Sequence, residues 1–166
     1  NWVSGVGWGN NELQYYTNSS DNVRIENGKL IIEAKNQLYK GSEYTSSRIK
    51  TKSSWKYGRF EIFARLPQGR GTWAAGWALP TDWVYGPWPF SGEIDIFEHV
   101  GHEQDLIVSS LHNIAHSGDV SRSDQQGKSH LENACDSFNL YALEWEKDKI
   151  KIFVNNHLQL EYNKNN

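Results

Sequence analysis

Three carboxylates fall within six residues of the segment Ser91-Gly92-Glu93-Ile94-Asp95-Ile96-Phe97-Glu98-His99, which otherwise carries β-forming Ile and Phe. Successive side chains of a strand point to opposite faces, so plain alternation sets Glu93, Asp95 and Phe97 on one side and Ile94, Ile96 and Glu98 on the other. Burying Glu98 among isoleucines would carry a heavy desolvation cost. One β-bulge near Phe97 removes the conflict by returning Glu98 to the side of Glu93 and Asp95. Three acids on one face repel one another, and at least one then stays protonated near neutrality. An ionised carboxylate beside a protonated one is what glycosidic bond cleavage needs, and in retaining chemistry the two stand about 5–5.5 Å apart. A solvated acidic face and a calcium site are the other readings of this segment. Its apolar, β-forming character counts against calcium, whose loops favour Gly, Asn and Asp in irregular backbone.

The elements that must position these acids are strands. Asn27-Gly28 is a tight-turn signal between strands predicted at 22–26 and 29–34. Residues 43–51 alternate weakly, whereas 57–66 alternate well, with Phe60, Ile62 and Ala64 on one face and Arg59, Glu61 and Arg65 on the other. Further strands are predicted at 73–79, 94–100, 106–112, 140–145, 150–154 and 158–162, with Asn155-Asn156 as a second hairpin turn. Helical periodicity is nearly absent. Two long connections, 81–91 and 113–137, interrupt the strand rhythm; the first is stiffened by Pro80, Pro87 and Pro89 and the second is polar. Many strands with few helices imply an all-β sandwich or jelly roll in one domain.

Composition narrows the partners. The 166 residues carry a formal charge of -3, which leaves no basic footprint for nucleic acid and suits a neutral substrate better than phosphates or sulfated polymers. No apolar run approaches the roughly 18 residues of a membrane span, and no signal peptide is visible. Hydrophobic residues are 37% while 8 Trp and 8 Tyr are present, so some aromatics are expected on a binding surface instead of in the core. Trp73 and Trp77 lie four apart, on one strand face across the small Ala75, and Trp88 sits in the Pro-braced loop just before the acids. An indole ring can stack on the C–H face of a sugar while its N–H reaches a hydroxyl. Core packing is the competing role for these residues. His99, His102, His112 and His116 have poor spacing for zinc outside a helix. Cys135 is alone and reads as an inert buried thiol. The 0 Met and the abrupt ends, Asn1-Trp2 and Asn165-Asn166, are those expected of a piece of a longer protein.

The chain resembles glycoside hydrolase family 16, and within it the laminarinase-like β-1,3-glucanases. The carrying residues are Glu93-Ile94-Asp95-Ile96-Phe97-Glu98 after Ser91-Gly92, in the bulged form of the family motif. The segments Gly7-Trp8-Gly9-Asn10-Asn11-Glu12-Leu13-Gln14-Tyr15-Tyr16-Thr17, Tyr44 to Ile49, Tyr57-Gly58-Arg59-Phe60-Glu61, Gly71 to Trp77 and Tyr141 to Trp145 agree with it in the expected order. The resemblance implies a concanavalin A-like jelly roll with a concave substrate cleft. It implies a retaining endo-acting hydrolase of β-1,3- or mixed β-1,3/1,4-glucan, with Glu93 as nucleophile, Asp95 assisting and Glu98 as acid/base. Trp73, Trp77 and Trp88 would line glucosyl subsites, Asn11 and Arg48 would bond sugar hydroxyls, and His112 would sit beside the acids on the neighbouring strand. No cofactor is implied for catalysis. A structural calcium is implied, for which Gly28 alone matches a ligand position, through its carbonyl. The family's first strand and last strands have no counterpart here. A monomer is expected, secreted or held at the cell surface or in the periplasm because polysaccharides lie outside the cell. A lectin-like β-glucan-binding module is the rival from another class, since the same sandwich serves sugar binding without catalysis.

Overall fold

A computed structural model describes residues 5–6, 10–113 and 125–164. The chain forms two compact units, residues 1–54 and 55–166. In the first, β1 (Gly5–Val6), β2 (Gln14–Tyr16), β5 (Lys35–Tyr39) and β6 (Ser42–Ser46) make a sheet in the order β1-β2-β6-β5, and β3 (Val23–Glu26) pairs with β4 (Lys29–Ile32) as a hairpin. Asn27 and Gly28 both take positive φ, 49° and 72°, the backbone that a type I′ turn demands and that Asn-Gly supplies cheaply. Asn22, 1% exposed, ties this unit together: its amide donates to the Glu33 carbonyl and the Thr45 hydroxyl and its oxygen accepts from Thr17.

The second unit is a sandwich of two antiparallel four-stranded sheets. One has the order β11-β10-β9-β8, from β8 (Trp73–Ala78), β9 (Glu93–Val100), β10 (Leu106–His112) and β11 (Gln126–His130). The other has the order β14-β13-β12-β7, from β7 (Gly58–Ala64), β12 (Asn139–Trp145), β13 (Lys149–Val154) and β14 (His157–Asn163). The core between them joins Ile96, Phe97, Ile107 and Leu111 of the first sheet to Tyr141, Leu143, Ile152 and Leu160 of the second. Phe60, Ile62 and Ala64 pack against it as their alternation predicts, while Arg59 on the other face pairs with Glu61 and Glu144. Phe97 and Tyr141 stack across the layers with ring centroids 4.4 Å apart. Among the described residues no helix is long and apolar enough to cross a membrane.

The strands match expectation except in five places. The weak stretch 43–51 shrinks to β6 with an isolated bridge at Ile49. β1, β2, β5 and β11 arise where no strand is predicted. β11 lies inside the connection read as a loop at 113–137, because Gln126-Gly127-Lys128-Ser129-His130 has no apolar residue to mark a buried face. It is an edge strand whose pairing to β10, Leu106 opposite His130 through Ser110 opposite Gln126, supplies what its composition does not announce.

Candidate active site

Strand β9 is an inner strand of its sheet, between β8 and β10, and the bulge that its sequence demands is present. Against β8, Gly76 pairs with Phe97 and Trp77 with Asp95; against β10, Val108 pairs with Glu98 and Ser110 with Asp95. Ile96 has no partner in either register. From Phe97 onward the alternation is therefore reset. Ile96 and Phe97 both enter the core, 4% exposed each, and Glu98 returns to the face of Glu93 and Asp95. Gly76 is required opposite the bulge: a Cβ there would overlap the Phe97 ring and stand 2.7 Å from Ile62 Cδ1.

Directly opposed residues of an antiparallel pair share a face. Trp73, Ala75 and Trp77 of β8 stand opposite Val100, Glu98 and Asp95, and His112 of β10 stands opposite Glu93. One face of the sheet thus gathers all three acids, the two β8 tryptophans and the histidine. Trp88 joins them from the connection before β9: its indole N–H donates to Glu93 Oε2 at 2.7 Å and its ring lies 5.9 Å from that of His112. The Trp73 indole N–H donates to Glu98 Oε1 at 3.0 Å. His112 Nε2 donates to Asp95 Oδ2 at 2.8 Å, and Asp95 is 3% exposed. Trp73 and Trp88, about half exposed, still offer ring faces to solvent, while Trp77 is half-buried. The N–H groups that sequence reasoning sends to sugar hydroxyls are bonded to the two glutamates instead.

Electrostatics follow from this packing. Burial, then the charge of Asp95 and the hydrogen bond shared with it, push the Glu93 carboxyl up to about 7, against the pull of the Trp88 N–H and His112. Burial and then Asp95 raise Glu98 as well, opposed by the Trp73 N–H and His112. The Asp95 hydrogen bond holds His112 above its usual range in spite of burial. Near neutrality such an array retains a proton, which acid/base chemistry can use.

Asn11 and Arg48 belong to the first unit, Asn11 in a turn with φ 56° and Arg48 close enough to act electrostatically on Tyr16. Gly28 sits in the exposed β3–β4 turn, and among the described residues no three His, Cys, Asp or Glu side chains converge to hold a metal. His99 points into the core, where Nε2 bonds the Gln104 carbonyl at 2.9 Å; His116 lies outside the described residues. Burial pushes the Cys135 thiol up, away from the thiolate that reactivity would need. The alternation of β11 adds two residues that sequence reasoning missed, because Gln126 stands opposite Ser110 and Lys128 opposite Val108, on the face of the acids.

An all-β jelly-roll sandwich that gathers three carboxylates under exposed indoles on one face is an arrangement suited to glycosidic bond cleavage. The chain belongs to glycosyl hydrolases family 16, whose family model matches residues 10–166. It is 47% identical over 165 residues to a β-glucanase of Rhodothermus marinus, covering 96% of this chain and 57% of that protein. It is 38% identical over 161 residues to a glucan endo-1,3-β-glucosidase of Cryptopygus antarcticus, covering 92% of this chain and 58% of that one. The solved laminarinase from Rhodothermus marinus superposes with a TM-score of 0.92 at 45% identity, over 98% of this chain and 66% of that chain. The chain thus spans less than two thirds of the length of these relatives.

Proposed function

We propose that this chain carries the catalytic centre of a retaining endo-β-glucanase acting on β-1,3- or mixed β-1,3/1,4-glucan. One observation carries the reading: the β9 bulge sets Glu93, Asp95 and Glu98 on one face, with each glutamate held by a separate indole N–H. In the first step Glu93 attacks the anomeric carbon, the bond to the departing sugar breaks, and its oxygen takes the proton of Glu98. In the second, Glu98 removes a proton from water, which displaces Glu93 and releases the product with retained configuration. Asp95 shares the proton of the pair with Glu93, and His112 holds Asp95 in place. Proton NMR of fresh products from laminarin tests the mechanism: β product at the first time points is expected, and initial α product would overturn it. Glu93→Gln separates this reading from a lectin-like module, because loss of hydrolysis with oligosaccharide binding retained is the outcome for an enzyme.

Trp73, Trp77 and Trp88 supply stacking platforms for glucosyl units, with Asn11 and Arg48 as hydrogen-bonding partners of sugar hydroxyls. No cofactor takes part in the chemistry. A structural calcium would use the Gly28 carbonyl. Chelation of the full-length protein is expected to lower its melting temperature without changing kcat. A polymeric substrate outside the cell fits a monomer that is secreted or held at the cell surface or in the periplasm.

A further inference from the structure

The bulge that carries Glu98 to the face of the acids leaves Ile96 without a Cα partner in either neighbouring strand. Its buried C=O has a side-chain partner. That partner is the Ser109 hydroxyl, which donates to Ile96 O at 2.7 Å from a side chain that is 0% exposed. Ser109 in turn accepts from the side-chain amide of Gln159 at 2.6 Å, and the same amide nitrogen reaches the Gly127 carbonyl at 3.3 Å. The Ser129 hydroxyl donates to the Gln159 amide oxygen and closes the chain.

Gln159 comes from β14, in the opposite layer. Its inward direction is itself the product of a second bulge: Leu160 pairs with Ile152 and Leu158 with Phe153, leaving Gln159 as the extra residue. Leu158 therefore faces solvent at 51% exposure while both Gln159 and Leu160 turn inward. Gly127 makes room for the approach, because a Cβ there would overlap the Gln159 backbone and stand 2.8 Å from its Cγ. Two bulges, one in each sheet, thus meet through one hydrogen-bonded chain, in which each donor polarises the next.

The geometry points to Ser109 and Gln159 as positioning residues for Glu98: they pin the β9 bulge and thereby set where the acid/base carboxyl stands. This rests on the assignment of Glu98 as acid/base. Neither residue touches substrate. Their effect follows from distance, since a shift of about 1 Å in a catalytic group can cost roughly 100-fold in rate. Without the pin, the Ile96 carbonyl loses its buried partner, and the two-residue excursion in β9 has less to hold it against sliding back toward regular pairing.

The test uses the full-length enzyme with two substrates. Laminarin needs a proton on its leaving oxygen, whereas a 2,4-dinitrophenyl β-laminaribioside does not, and azide can replace the base-activated water. Ser109→Ala should lower kcat on laminarin about 10-fold with KM changed by less than about twofold, a loss confined to the acid/base step. On the dinitrophenyl substrate with azide the same variant should come within about twofold of the wild type. Gln159→Met, which keeps the volume but removes the donor, should show the same pattern at about threefold, and it carries the test if Ser109→Ala does not fold. Glu98→Ala is the benchmark. If Glu98→Ala is rescued by azide and the two variants are not, or if both hydrolyse laminarin at the wild-type rate, the proposal is overturned alone. If Glu98→Ala is not rescued either, the acid/base assignment falls and takes the proposal with it.

Discussion

At the residue scale the site is a set of carboxylates kept from ionising together. Asp95 lies in the middle of it, buried, bonded to His112 and adjacent in charge to both glutamates. Asp95→Asn removes the negative charge that raises Glu93 and Glu98 and the hydrogen bond that raises His112, so all three should move back toward ordinary values. The expected result is a kcat about 10–100-fold lower, with the alkaline limb of the kcat/KM profile displaced to lower pH because Glu98 loses its proton sooner. A profile displaced upward would contradict the electrostatic account. Stability carries a second signature. Glu93 titrates at about 7 in the folded chain, above its ordinary 4.5, so the folded state disfavours its charged form. The resulting destabilisation is absent below about pH 4.5, grows through the interval and is complete above about pH 7. Melting curves of Glu93→Gln should accordingly gain more over the wild type at pH 8 than at pH 5.

At the element scale the bulged strand is held by packing as well as by hydrogen bonds. Phe97 fills the space over Gly76 and meets the Tyr141 ring, so the extra residue of β9 is anchored in the core between the sheets. Gly76→Ala forces a methyl against the Phe97 ring and Ile62 Cδ1. Overpacking of this kind should destabilise the protein by about 1–3 kcal/mol. Urea denaturation would register it as a lower midpoint at unchanged slope. An equal midpoint would mean that Phe97 has room to move, and that the glycine is not what admits the bulge. The β11 edge shows the opposite kind of element. Its residues carry no apolar pattern, and it is a strand because β10 offers five register partners beside it.

At the scale of the whole molecule, a net charge of -3 and a site whose groups share protons argue for recognition by stacking and hydrogen bonding. Long-range attraction should contribute little when the substrate is neutral. The value of kcat/KM on laminarin is therefore expected to change by less than about twofold between low salt and about 0.5 M NaCl, where the Debye length falls to only a few ångström. A steep decline with salt would point to an anionic substrate and against a neutral glucan.

What the sequence determined by itself is whatever local chemistry dictates. The need for a bulge follows from an acid at a position that alternation would bury among Ile94 and Ile96. The β3–β4 turn follows from Asn27-Gly28, and the two faces of β7 follow from its alternation. The three acids were legible for the same reason, as one motif, whereas the place of His112 beside them came only from the resemblance to glycoside hydrolase family 16. Tertiary structure decided the rest, because it depends on which distant segments meet. It sent the indole N–H groups of Trp73 and Trp88 onto Glu98 and Glu93. It made a strand of Gln126–His130, and it brought Gln159 to Ser109 across fifty residues. No periodicity records such contacts, since a buried hydrogen bond between two sheets leaves in each strand only one polar residue out of place.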